Sequence, residues 1–122
     1  MGMINWAVLA STVTCGLGMA TLAQADMSSI YGKWVPAEYQ CNYDGYTSDS
    51  VFSIDSQRVS FFESSCDIIG TQYTGVGSAY SVTMRCSGEG DSWQTTAIYA
   101  RSEENLMVYF QDGYGYMAKA CR

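Results

Sequence analysis

The sequence predicts a small all-β domain, an antiparallel meander of about six to eight strands closed or nearly closed into a barrel and held by two disulfides. Three observations carry that expectation. After Asp26, short runs of alternating apolar and polar residues recur between turn residues, and no window sustains helical spacing. Four cysteines fall in the same stretch, the even number expected of a short exported chain. A domain this short buries too little surface to be stable without covalent help, and closure removes the strand edges that would otherwise template aggregation.

Residues 1–25 are read as a cleavable signal peptide and set aside from the fold. Trp6 to Leu22 is mostly apolar or small and carries no charge. Ala23-Gln24-Ala25 before Asp26 presents the small residues that signal peptidase accepts. Met1 to Asn5 lacks Lys and Arg, so an uncleaved membrane anchor is one competing reading, and lipidation of Cys15 is another. The Gly, Ser and Thr content and the cleavage motif weigh against the anchor. Thr12-Val13-Thr14 before Cys15 is a poor lipidation motif. Residues 26–122 then form one domain.

Within it, Tyr31 to Val35 is the first strand. Gln40 to Ser50 is polar and loop-like. Val51 to Ile54 leads through an Asp55-Ser56-Gln57 turn into Arg58 to Ser64, which would place Val59, Phe61 and Glu63 on one face. Gly70 to Ser78 reads either as a bulged strand or as a mobile loop. Tyr80 to Cys86 has the clearest alternation, with Tyr80, Val82, Met84 and Cys86 opposite Ser81, Thr83 and Arg85. Ser87 to Asp91 is a turn, Trp93 to Ala100 a strand, and Ser102 to Asn105 a turn. Leu106 to Phe110 and Tyr116 to Cys121 flank a Gly-rich hairpin loop headed by Asp112-Gly113.

With Cys15 removed, Cys41, Cys66, Cys86 and Cys121 remain. Three pairings are possible, and spacing alone does not choose among them. The preferred set joins Cys66 to Cys86, stapling neighbouring strands, and Cys41 to Cys121, tying together the ends that closure must bring together. Zinc is a poor alternative, because the chain has no His and no CxxC spacing. The net charge of −6 argues against nucleic acid and anionic membrane surfaces.

The missing histidine also removes the usual general base and the Ser-His and Cys-His nucleophile pairs. Glu63 is the candidate for carboxylate chemistry, if burial beside Val59 and Phe61 raises its pKa. Pairing with Arg58 or Arg85, or exposure to solvent, is the plainer expectation. Asn42-Tyr43-Asp44-Gly45 looks like part of a calcium loop, but Gln40 and Val51 stand where acidic ligands are needed, so a turn is expected. Gly75-Val76-Gly77 lacks the rest of a dinucleotide motif. No cofactor is implied.

Ten tyrosines are more informative. Tyr39, Tyr43 and Tyr46 surround the first cysteine of the domain, and Tyr114 and Tyr116 lie in the last hairpin. A rigid apolar ring with a polar tip suits a recognition surface, and these five are the candidate interaction residues. Strand filling is the competing role.

Gly32-Lys33-Trp34 resembles the G-x-W that opens the first strand of lipocalins and other calycins. The resemblance implies that Gly32 and Trp34 close one end of the barrel under a basic side chain from near the C-terminus, for which Lys119 and Arg122 are available. Gly32-x-Trp34, Cys41, Glu63-x-x-Cys66, Cys86-x-Gly88-Glu89-Gly90 and Cys121, in that order, resemble small exported four-cysteine proteins of Gram-negative bacteria that have no assigned activity. A weaker resemblance is to periplasmic metalloprotease inhibitors, small barrels that insert an N-terminal segment into a protease. Here that segment would be Asp26 to Ile30, and the second cysteine pair departs from the pattern.

The expected function is that of a periplasmic or secreted, non-enzymatic binding module, protein-interacting or inhibitor-like. Its partner is an unknown protein, with no nucleic acid and no stable membrane insertion after cleavage. The alternative is a carrier of a small apolar ligand inside the barrel. A filled interior lined by Trp34, Phe61, Val82, Met84 and Val108 would argue against the carrier.

Overall fold

In the computed structural model, which describes residues 25–122, period-2 alternation sets the architecture. The signal-peptide assignment lies, but for Ala25, outside those residues. A 3-10 turn at Ser28–Ile30 precedes the strands β1 (Gly32–Pro36), β2 (Asn42–Tyr43), β3 (Tyr46–Thr47), β4 (Phe52–Ile54) and β5 (Arg58–Ser60). These are followed by β6 (Ser64–Tyr73), β7 (Ser78–Gly88), β8 (Asp91–Ser102), β9 (Asn105–Phe110) and β10 (Gly115–Ala120). Eight of them close in the order β1-β10-β9-β8-β7-β6-β5-β4, and β2 and β3 form a separate hairpin in the β1–β4 connection. The pairs along the wall are antiparallel, and closure is made by Trp34, opposite both Ala120 and Phe52.

The inward face of each strand is apolar. Tyr80, Val82, Met84 and Cys86 of β7 are buried together with Ala97 and Tyr99 of β8, Leu106 and Val108 of β9, and Trp34, Phe52, Ile54 and Val59. Phe61 packs half-buried against this cluster. The interior is therefore filled by side chains, as expected of an eight-strand barrel. Among the described residues no polar or charged residue is buried, and no buried side-chain nitrogen or oxygen lacks a hydrogen-bond partner. Val35 points outward yet is fully buried, on the face across which the 37–51 excursion is tied down by the Cys41–Cys121 disulfide. The second disulfide, Cys66–Cys86, joins directly opposed residues of β6 and β7.

The strands differ from the expectation at three places. Gln40 to Ser50, expected to be a loop, contains the paired strands β2 and β3. Arg58 to Ser64 is not one strand. The Phe61 amide donates to the Ser64 carbonyl at 2.8 Å, so the chain reverses over Phe61-Phe62-Glu63 between β5 and β6. Glu63 consequently stands exposed on a turn, not beside Val59. Gly70 to Ser78 splits the other way. β6 runs through to Tyr73 with a bulge between Ile68 and Gly70, and only Thr74 to Gly77 turns.

The two ends of the barrel differ. At one, Met27 and Ile30 of the 3-10 turn plug the interior and are buried. The Trp34 indole N–H donates to the Ile30 carbonyl at 3.0 Å. The cation over the Trp34 ring is Arg101, at 5.4 Å from the centroid, which also donates to the Ser29 carbonyl at 2.7 Å. Lys119 and Arg122 do not take that place. Lys119 alternates with the inward Ala118 and Ala120 and so points away from the interior, and Arg122, past the end of β10, pairs with Glu104. The other end, hereafter the mouth, carries the β1–β4 excursion and the β5–β6, β7–β8 and β9–β10 turns.

Candidate functional site

At the mouth, four connections surround a cleft of about 490 Å³. Pro36 ends β1 and Glu38 and Tyr39 follow it, while Asp49, Ser50 and Val51 lead into Phe52. Phe61, Phe62, Glu63 and Ser64 come from the β5–β6 turn, Glu89 from the β7–β8 turn, and Tyr114 and Tyr116 from the β9–β10 hairpin. Each is placed by local chain chemistry. Glu89 and Gly90 form the two-residue turn with φ of 50° and 85°, the left-handed pair that matches strand twist in a tight hairpin. The Tyr114 amide donates to the Asp112 carboxylate at 3.0 Å, an Asx-type turn that sets the last hairpin.

The floor of the cleft is a continuous run of rings. Phe61 stacks on Phe52 at 5.5 Å, Phe52 meets Tyr116 edge-on at 6.2 Å, and Tyr116 lies 5.7 Å from Tyr114. Tyr114 in turn stacks on Phe110 at 6.3 Å. Separations of this kind contribute beyond simple area burial. Burial, and then the neighbouring Tyr114, push the Tyr116 phenol up to about 12. Beside this floor water reaches Tyr39 at 51% and Phe62 at 61% exposure, and Tyr114 within it is itself 63% exposed. An exposed phenylalanine at the tip of a tight turn contributes nothing to the core.

The charged lining is of one sign. Glu38, Asp49, Glu63 and Glu89 reach the cleft, and no Lys or Arg lines it. Arg58, the expected partner of Glu63, is instead 3.0 Å from Asp67, directly across the strand pair. Glu63 itself is exposed on the β5–β6 turn. Among the described residues no group of three or more Cys, Asp or Glu is arranged to hold a metal ion, and Asp44 sits with φ of 51° in the β2–β3 turn.

Of the five candidate interaction tyrosines, Tyr39, Tyr114 and Tyr116 meet in this cleft. Tyr43 and Tyr46 do not. They are a cross-strand pair on the β2–β3 hairpin, 73% and 77% exposed, and do not line it. Sequence reading missed Phe52, Phe61 and Phe62 as members of the site, together with the carboxylates at 38, 49 and 89. The available signal was Phe61-Phe62-Glu63 as a turn, since two adjacent rings on an edge-to-edge reversal cannot both face a core. A second depression of about 420 Å³ adjoins the cleft across Phe61 and Ser64 and is lined by Trp93, Phe110 and the Cys66–Cys86 bridge.

No family model matches the chain, and no curated protein or solved structure matches it.

Proposed function

We propose that the protein is an exported, non-enzymatic binding module that receives a partner protein in the cleft at the barrel mouth. The observation that carries this reading is the placement of its rings. Trp34, Phe52, Tyr80 and Tyr99 are buried in the interior together with aliphatic and methionine side chains, while Tyr39, Phe62 and Tyr114 stand in water around one depression. Solvent-reached aromatics grouped in one concave place are what recognition surfaces use and what cores do not need. The filled interior leaves little room for the small-ligand alternative. The two disulfides suit an oxidising compartment, periplasmic or extracellular.

The test is site-resolved photo-crosslinking in the producing cell. A photoreactive phenylalanine analogue replaces Tyr114 in one variant and Met107, exposed on the outer wall of β9, in another. The expected result is one discrete protein adduct from position 114 and none from 107. Equal labelling from both positions, or none from either, would count against the cleft. A small molecule retained by the purified protein in native mass spectrometry would revive the carrier.

A further inference from the structure

We infer that the segment received by the cleft is basic as well as apolar: a stretch of partner polypeptide in which Lys or Arg alternates with aromatic or large aliphatic residues. This deepens the preceding reading and rests on it. The argument is one of complementarity at two levels. The floor formed by Phe52, Phe61, Tyr114 and Tyr116 offers ring faces and edges to an apolar side chain. The rim carries Glu38, Asp49, Glu63 and Glu89 with no cation among the lining residues.

Three of the protein's six Lys and Arg residues are engaged elsewhere, and Lys33 lines a neighbouring depression together with Asp49, Phe61 and Phe62. Arg58 holds Asp67, Arg122 holds Glu104, and Arg101 lies over Trp34 at the far end. Within the cleft an acidic segment would face like charge, and a neutral one carboxylates with nothing to pair. A lysine or arginine would find carboxylates on three of the four connections, and a ring face for cation–π contact besides. The four carboxylates come from three different connections, the β1–β4 excursion and the β5–β6 and β7–β8 turns, so their meeting is a product of the barrel's closure and not of a run of acidic sequence. A net charge of −6 over the whole chain points the same way and would steer a basic partner toward this surface.

The experiment titrates the isolated protein with three nonapeptides that share alternating Trp and Leu and differ only in the intervening residues: Lys, Gln or Glu. Binding is followed by calorimetry, and amide shifts in an NMR spectrum locate it. The Lys peptide is expected to bind about tenfold more tightly than the Gln peptide, the sum of several exposed ion pairs, and the Glu peptide more weakly still. Shift changes should centre on residues 61–64, 89 and 114–116. At high salt the Lys advantage should shrink toward the Gln value. In the Glu63→Gln, Glu89→Gln double variant the ratio of Lys-peptide to Gln-peptide affinity should fall several-fold.

Equal affinity for all three peptides, or a Lys advantage that survives the double variant, overturns the charge preference. If the Gln peptide still binds and Tyr114→Ala weakens it, the aromatic cleft stands while the basic partner falls. Shifts clustered on the outer wall around Met107, or no binding by any peptide, sink this inference; the crosslinking pattern then decides separately whether the cleft binds at all.

Discussion

Arg101 ties a strand, a turn and a ring together. Its guanidinium lies over Trp34, its Nη1 donates to the Ser29 carbonyl, and its Nε donates to the Glu103 carbonyl. The 3-10 turn that plugs the barrel is thus held from outside by one cation and from inside by the indole N–H of Trp34. Replacing Arg101 with Ala leaves the Ser29 carbonyl part-buried without its donor and uncovers the ring. We expect a loss of about 1–3 kcal/mol, read as a lower urea midpoint at unchanged slope. Arg101→Lys should recover part of it, since an ammonium keeps the charge over the ring but not the fork of donors. The position was readable in advance. Ala97, Tyr99 and Arg101 share one face of β8, and a strand ended at Ala100 stops one residue short of the cation that matters. The expected donors, Lys119 and Arg122, came from resemblance alone, and parity along β10 rules out the first.

Among the elements, legibility follows how strictly alternation is enforced. β7 is central and buried on one face, and its register from Tyr80 to Cys86 is plain from the residues. The β8 and β9 strands and their turns were readable for the same reason. β5 failed because Val59, Phe61 and Glu63 continue the period-2 pattern of a strand straight through a reversal. The signal there lies in a hydrogen bond from Phe61 to Ser64, which composition does not show. Four of the cleft's aromatic and acidic residues sit on that reversal and the β7–β8 turn beside it, so the site was hidden by the same error. Gly88 shows how closely these two connections are joined. A Cβ on Gly88 would come within 2.5 Å of the Ser64 Cβ and 2.8 Å of the Glu63 carbonyl oxygen, far inside any normal contact. The Gly88→Ala variant must push the turn outward. It should be less stable by about 1–3 kcal/mol, with NMR shifts concentrated at 61–64 and 86–90 and weakened binding of whatever the cleft holds.

For the molecule as a whole, a core free of charge makes alkali a sensitive probe. Tyr99 is fully buried, and burial, then the nearby Tyr116, raise its phenol well above the usual value. The Tyr116 phenol is pushed up to about 12. Unfolded tyrosines ionise near pH ~10, so above that pH the unfolded chain releases protons that the barrel retains. Stability should be insensitive to these groups below pH ~10 and decline progressively from there toward about 12. Alkaline unfolding followed by circular dichroism, with phenolate absorbance alongside, should show the two events together. Tyr99→Phe should move the midpoint to higher pH, since the hydroxyl donates only to the Met84 sulfur at 3.8 Å and little is lost with it. The fold class was legible at this scale, while the cysteine pairing was a preference among three that the structure bears out, with Cys41 joined to Cys121 and Cys66 to Cys86. The seam that closes the wall has a temporal consequence. Trp34 finds Ala120 only in the last strand, so a nascent polypeptide holds β1 with its ladder half empty until residues 115–120 emerge. The cylinder is completed in one late event, and any helper that guards against premature clumping would have to shelter that first strand for the whole wait.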